Sequence, residues 1–255
     1  MVNRRQFLKI YASLTATTHA IPAIAVDKYF QKAIKKIWRP KSTPSSNIAS
    51  LSKEWVRIAT LASSSHNSQP WKFKLKGNLI TIIPDFQRRC PAIDPDDNHL
   101  FKSLSSDAEN LIHAATAGGF HADANFGSAH DNVVNNVESS KSIKPNNLSA
   151  AIINHRCSRT PNDGKPSIEP VEASIITAAI SNDITPLILQ SPLQMEAMLK
   201  YMRQGNLAQF DGTAFVKELR DWVRFNPTAA IKTGDGLAGE VGATAFTYGE
   251  GCGER

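Results

Sequence analysis

Hydrophobic positions along the first half of the chain recur at two periods, and the switches between them mark the elements. Phe30, Ala33, Ile34, Ile37 and Trp38 fall at helical spacing, with Lys28, Lys32, Lys35 and Lys36 opposite. Pro40 ends that pattern, and residues 41–47 form a Ser/Pro-rich linker. The lysine face suits plain solvation or contact with anionic lipid. Leu51, Trp55, Ile58, Ala59 and Ala62 make the stripe of a second amphipathic helix, with Glu54 in its first turn, where the helix dipole favours an anion. From Trp71 the period drops to two. Trp71, Phe73 and Leu75 alternate with Lys72, Lys74 and Lys76, Gly77-Asn78 supplies a two-residue turn, and residues 79–83 return, closed by Pro84. That pattern predicts a β-hairpin.

Asp94-Pro95-Asp96-Asp97 precede the next helical run. Acids there serve as helix caps and dipole partners; a metal or acid–base role is the alternative. Leu104, Ala108, Leu111, Ile112 and Ala115 predict a buried helix face, stopped by Gly118-Gly119. Residues 121–147 are rich in Asn and Ser and poor in apolar residues; short strands fit there, but the pattern fixes no element. Helical patterns then cover residues 171–181, 192–204 and 213–225, the last with Phe215, Leu219, Trp222 and Val223 on one face and Asn226-Pro227 at its end. Residues 238–255 show no periodicity and little to bury, and read as an atypical tail.

Composition adds limits. The chain has 255 residues, enough for one large domain or two small ones, and its 41% hydrophobic and 20% charged residues can build an ordinary core. The formal charge is +6; without Arg4, Arg5 and Lys9 it is 26 basic against 23 acidic residues. A balance that mild argues against nucleic acid as a partner. Cys90, Cys157 and Cys252 show no metal-type or redox spacing and allow at most one pair.

Arg4-Arg5-Gln6-Phe7-Leu8-Lys9 matches the twin-arginine export signature, followed by a mildly apolar, Thr-rich stretch with no acid before Asp27. Ala23-Ile24-Ala25 offers a small-x-small cleavage site, so residues 1–25 read as a signal peptide and Val26 as the mature start. The alternative is a basic N-terminus before a buried helix. The stretch is too short and too polar for stable membrane anchoring. Twin-arginine export carries proteins already folded, often around a cofactor, and so adds weight to a cofactor reading.

Two stretches concentrate candidate chemistry. Residues 63–71 (Ser-Ser-Ser-His-Asn-Ser-Gln-Pro-Trp) set neutral hydrogen-bonding side chains at a helix-to-strand junction, which suits a planar ligand with polar edges. Residues 155–161 (His-Arg-Cys-Ser-Arg-Thr-Pro) interleave two guanidiniums with hydroxyl and thiol groups, which suits a phosphate or, equally, a surface loop. A Ser–His hydrolase built on Ser64, Ser65 and His66 fails, because sequence neighbours do not face each other for proton transfer and no Gly-x-Ser-x-Gly elbow is present. His66, His113 and His121 share no metal-ligand spacing.

The two stretches together resemble the nitroreductase superfamily of flavin mononucleotide (FMN) proteins, and within it the Acg-like branch, in which one chain carries two nitroreductase-like halves. The matching residues are Ala59-Thr60-Leu61-Ala62 and residues 64–71, then Arg88-Arg89, Asp94 to Asp97 and Glu109-Asn110-Leu111. Arg156 and Arg159 ahead of Asp163-Gly164-Lys165-Pro166 follow, then Glu218-Leu219, Trp222, Arg224-Phe225-Asn226 and Asp235-Gly236-Leu237. The resemblance implies an α+β fold, an antiparallel sheet flanked by helices, with the halves at residues 50–147 and 148–237 as a pseudo-dimer, after a basic helix and linker at 26–49. It implies that Ser64, Ser65, Asn67 and Gln69 line FMN, with Asn67 toward the ring edge, and that Arg156, Ser158 and Arg159 grip its phosphate. His155 stands where a basic residue is usual and Cys157 where a small hydroxyl is usual. The implied activity is reduction of nitroaromatic or quinone-type acceptors through the flavin. NAD(P)H, the usual donor, is not expected outside the cytoplasm, so a flavin-sequestering protein without turnover is the alternative. Family members continue beyond the Asp-Gly-Leu segment, which makes an incomplete second half, and a non-functional truncated copy, a further expectation.

Overall fold

The computed structural model describes residues 32–33, 35–39, 48–126, 133–139, 148–154, 169–178, 180 and 185–238. The leader, the linker, residues 155–161 and residues 239–255 lie outside the described residues. The chain divides into two units, one of residues 1–156 with 218–255 and the other of residues 157–217.

The first unit is α+β. Helix α1 (Ile48–Ala59) buries Leu51, Trp55, Ile58 and Ala59. Its Glu54 lies beyond the first turn, because the helix starts at Ile48, and is not the expected dipole partner; it is an ion-pair acceptor. Arg57 donates to both carboxylate oxygens, at 2.7 and 3.1 Å, and Arg39 adds a bond of 3.0 Å. Burial alone would raise the Glu54 carboxyl, but the bonds and charges of Arg57 and Arg39 outweigh it and hold it below its ordinary range.

Strands β1 (Trp71–Lys76) and β2 (Leu79–Pro84) pair antiparallel around Gly77-Asn78, in the register Trp71↔Pro84 to Lys76↔Leu79. Gly77 has φ 60°, the positive value that a tight hairpin turn needs at its first central residue. Strands β3 (Phe120–Phe126) and β4 (Val133–Ser139) complete a four-stranded antiparallel sheet in the order β1-β2-β4-β3. Both lie where the sequence pattern fixed no element. In β3 only Ala122 is buried, so its sequence carries no clean alternation to detect.

Helix α2 (Asn98–Thr116) packs with α1 against this sheet. Trp55, Ile58, Ile80, Leu111, Ala114 and Ala122 share one buried cluster; Trp71, Ile82, Leu100, Leu104 and Ala108 form the next. The Trp55 and Phe120 rings meet edge-on at 5.0 Å. The α2 cap comes from Asp94, whose Oδ2 accepts the His99 and Leu100 N–H groups at 2.9 and 3.0 Å, while Asp97 sits at the cap position in left-handed backbone (φ 58°). Inside α2 lies Asp107, fully buried, neither carboxyl oxygen meeting a hydrogen-bond partner among the described residues. Burial pushes its carboxyl up to about 8. A short helix, α3 (Leu148–Asn154), follows the sheet.

In the second unit, α4 (Pro170–Ala178) and α5 (Pro192–Asp211) are described, with the opening residues of α6 (Thr213–Trp222). Ser191 caps α5 by accepting the Gln194 N–H at 3.2 Å, and Pro192 follows. Helix α5 runs past the sequence-based end at 204, and all its residues are exposed.

The rest of α6 returns to the first unit and leads into β5 (Val223–Arg224), α7 (Pro227–Thr233) and β6 (Leu237–Ala238), with β5 and β6 parallel. Asn226-Pro227 does not end α6, which stops at Trp222 because Val223 and Arg224 pair as β5; the pair starts α7 instead. The Asn226 side chain accepts the Ala229 N–H at 2.8 Å, Pro227 takes the first turn, and Gly234 closes the helix at φ 67°. No helix among the described residues is long and apolar enough to cross a membrane.

Candidate functional site

The polar stretch of residues 63–71 connects α1 to β1 through a 3-10 turn at Ser65–Asn67. Three of its residues have left-handed backbone without being glycine: His66 (φ 50°), Asn67 (φ 52°) and Gln69 (φ 51°). Each such residue costs roughly 1–2 kcal/mol, so the surroundings must hold the loop in place. Locally, Ser64 Oγ accepts the Gln69 N–H at 3.0 Å. Further support comes from far along the chain. Asn67 donates its carboxamide to the Gly236 carbonyl at 3.0 Å, and the Gly236 N–H returns a 3.0 Å bond to the Asn67 carbonyl. Gln69 donates to the Gly234 carbonyl at 2.8 Å.

Between these two glycines sits Asp235, buried and held by two guanidiniums. Arg224 donates to Oδ1 at 2.6 Å, and Arg88 pairs with Oδ2 while donating through Nε to the Ser68 carbonyl at 2.6 Å. Both guanidiniums lie 5.7 Å from the centre of the Trp222 ring. Burial would raise the Asp235 carboxyl; hydrogen bonds from Arg224 and Thr233 with the charges of Arg224 and Arg88 outweigh that and lower it. Gly236 has φ 79°, and a Cβ there would collide with the Trp222 carbonyl oxygen and come within 2.9 Å of the Arg224 guanidinium. Only glycine fits this approach.

Beside the loop opens a small, shallow cleft, lined by Ser65, Ser68, Arg88, Arg89, Cys90 and Asp94 among others. The Ser65 hydroxyl lies 3.4 Å from His99 Nδ1. Next to it, His66, Cys90 and Glu218 bring an imidazole nitrogen, a thiol and a carboxylate oxygen within 4.8 Å of one another. Glu218 is fixed there by the Ala92 and Ile93 N–H groups, at 2.8 and 3.3 Å. Burial first, then the Glu218 and Asp94 charges, push the Cys90 thiol up to about 11 against the opposing bond to Ser68. Unless a cation sits beside it, this environment favours the protonated thiol.

Of the residues expected to meet a ligand, Ser65 borders the cleft and Ser64 is turned to its own loop. The Asn67 and Gln69 carboxamides are engaged by backbone. Arg156, Ser158 and Arg159 lie outside the described residues. The donor set of hydroxyls, carboxamides and guanidiniums suits the polar edge of a flavin in kind. The cleft does not enclose one: its cavity volume is about 10 Å³, whereas pockets for such ligands run to roughly 300–1,000 Å³. Sequence reasoning missed the His66–Cys90–Glu218 grouping because its members are far apart in the chain, and it missed Asp107 because helical periodicity registers the apolar neighbours and not the acid between them. Comparison with protein-family models gives no match to this chain, and comparison with curated proteins gives none either.

Proposed function

We propose that the chain is an exported, FMN-binding, nitroreductase-like protein that reduces nitroaromatic or quinone-type acceptors through its flavin. One observation supports this reading above others. The separated stretches that carry the resemblance meet in one hydrogen-bonded cluster: Asn67 and Gln69, Arg88, Trp222 and Arg224, and residues 234–236. Flavin chemistry needs no nucleophile from the protein, only binding, orientation and neutral hydrogen bonds, and bound FMN would supply the ring that accepts a hydride and passes electrons on. In this reading Ser65 serves the polar edge of the ring, Ser64 holds the loop through the Gln69 N–H, and Arg156 and Arg159, with Ser158, take the phosphate. Asn67 and Gln69 contribute indirectly, by fastening residues 234–236 against the loop.

A second reading, flavin sequestration without turnover, is favoured by the twin-arginine leader, since NAD(P)H is not expected outside the cytoplasm. Purified protein decides between them. A yellow product bleached by NAD(P)H and recoloured by a nitroaromatic supports the reductase; a yellow product that NAD(P)H leaves unchanged supports sequestration. A colourless product that takes up no added FMN sinks both. Replacing both Arg4 and Arg5 by Lys is expected to block export, and normal export of that variant would remove the twin-arginine part of the proposal.

A further inference from the structure

We propose that His66, Cys90 and Glu218 form a binding site for one Zn²⁺ or similar thiophilic divalent ion. The ligand atoms lie within 4.8 Å of one another, and His66 Nε2 is 3.9 Å from Glu218 Oε1. Tetrahedral zinc, with bonds of about 2.0–2.3 Å, separates its ligand atoms by about 3.3–3.8 Å, so side-chain shifts of about 1 Å close the set. All three groups are about nine-tenths buried or more, with side-chain exposures of 9% and 10% for His66 and Glu218 and 4% for the Cys90 residue. One thiolate and one carboxylate balance a divalent charge, which lets the cluster be buried as a neutral unit.

The support is also of the right kind. The Ala92 and Ile93 N–H groups orient the Glu218 carboxylate and leave lone pairs for a metal. Cys90 borders the cleft, giving an ion a way in from solvent. Arg88 and Arg89 border it too, but each faces a carboxylate, of Asp235 and Asp97 respectively. Three protein ligands leave a fourth position for water or a small ligand entering by the cleft. The site stands apart from the flavin reading and needs no flavin.

The test uses the full chain, stripped of metal and titrated with Co²⁺, a spectroscopic stand-in for Zn²⁺. The expected result is one equivalent bound, with near-ultraviolet thiolate-to-cobalt absorption and visible bands of a tetrahedral ion, both abolished by Zn²⁺. Cys90→Ser should remove the near-ultraviolet band. His66→Asn, chosen because Asn tolerates left-handed backbone, and Glu218→Gln should each weaken binding by about 10-fold or more. A Cys157→Ser/Cys252→Ser double variant, with Cys90 as its sole thiol, should keep the band and decides the matter even if Cys90→Ser fails to fold. No cobalt uptake at millimolar concentration, a band that survives in Cys90→Ser, or one that disappears from the double variant overturns the proposal.

Discussion

Asn67 illustrates how a polar residue in a candidate binding loop can work on the protein itself. Its carboxamide and its carbonyl both bond to Gly236, and its backbone is left-handed, a conformation that Asn tolerates better than most residues. Asn67→Gly removes the side-chain bond while relieving the backbone, and Asn67→Ala removes the bond and adds strain. The expected order of stability is wild type, then Gly, then Ala, with Ala lower than wild type by about 2 kcal/mol in urea unfolding. Equal stability of all three would show that the bond contributes nothing. Asp107 gives a second residue-scale expectation. Its carboxyl rises to about 8 in the fold against an ordinary 3.8, so between those pH values the folded state holds a proton that the unfolded chain has released. Stability therefore falls as pH rises from about 4 to about 8. Asp107→Asn should flatten that slope in unfolding measured at pH 5, 6.5 and 8. Asp235 has the opposite sign: its lowered carboxyl contributes stability at neutral pH that is lost as pH falls below its ordinary value of 3.8.

At the scale of elements, what the sequence made legible tracks how strongly burial wrote itself into one period. Helix α1 and the β1–β2 hairpin were readable because Trp55 and Ile58, or Ile80 and Ile82, sit fully buried on one face. Trp55→Ala should accordingly cost about 3–5 kcal/mol. Strand β3 was not readable, since its residues are mostly exposed and its pairing with β4 rests on backbone bonds that any side chain permits. Helix α7 had a full set of signals in Asn226, Pro227 and Gly234, but the first two read equally well as the stop of the preceding helix, which in fact ends at Trp222. Of the candidate site, the sequence marked the loop and many of its partners without revealing that they bond to one another, because that depends on tertiary closure. Gly236 is the test of this closure. Gly236→Ala places a methyl against the Trp222 carbonyl oxygen and should detach residues 234–236 from the loop, seen as faster amide exchange at Gly236 and Asn67 with the β1–β2 hairpin unaffected.

For the whole molecule, protection from exchange should be uneven. Helix α2, with Leu104, Leu111 and Ala115 fully buried, should exchange slowest. Helix α5, with every residue exposed, should exchange fastest among the long helices. Uniform protection of the two would mean that α5 is covered in solution. The bond between Asn67 and Gly236 joins positions 169 apart in the chain. Closing a loop of that length costs roughly 4–5 kcal/mol of chain entropy, which must be met before the contact returns anything. The hairpin and the α1–α2 pair have no such debt and can form early, so the clasp around Asp235 belongs to the end of the folding reaction. Loosening it should leave the refolding rate unchanged and raise the unfolding rate, a signature that the two limbs of a chevron plot for Asn67→Gly would display.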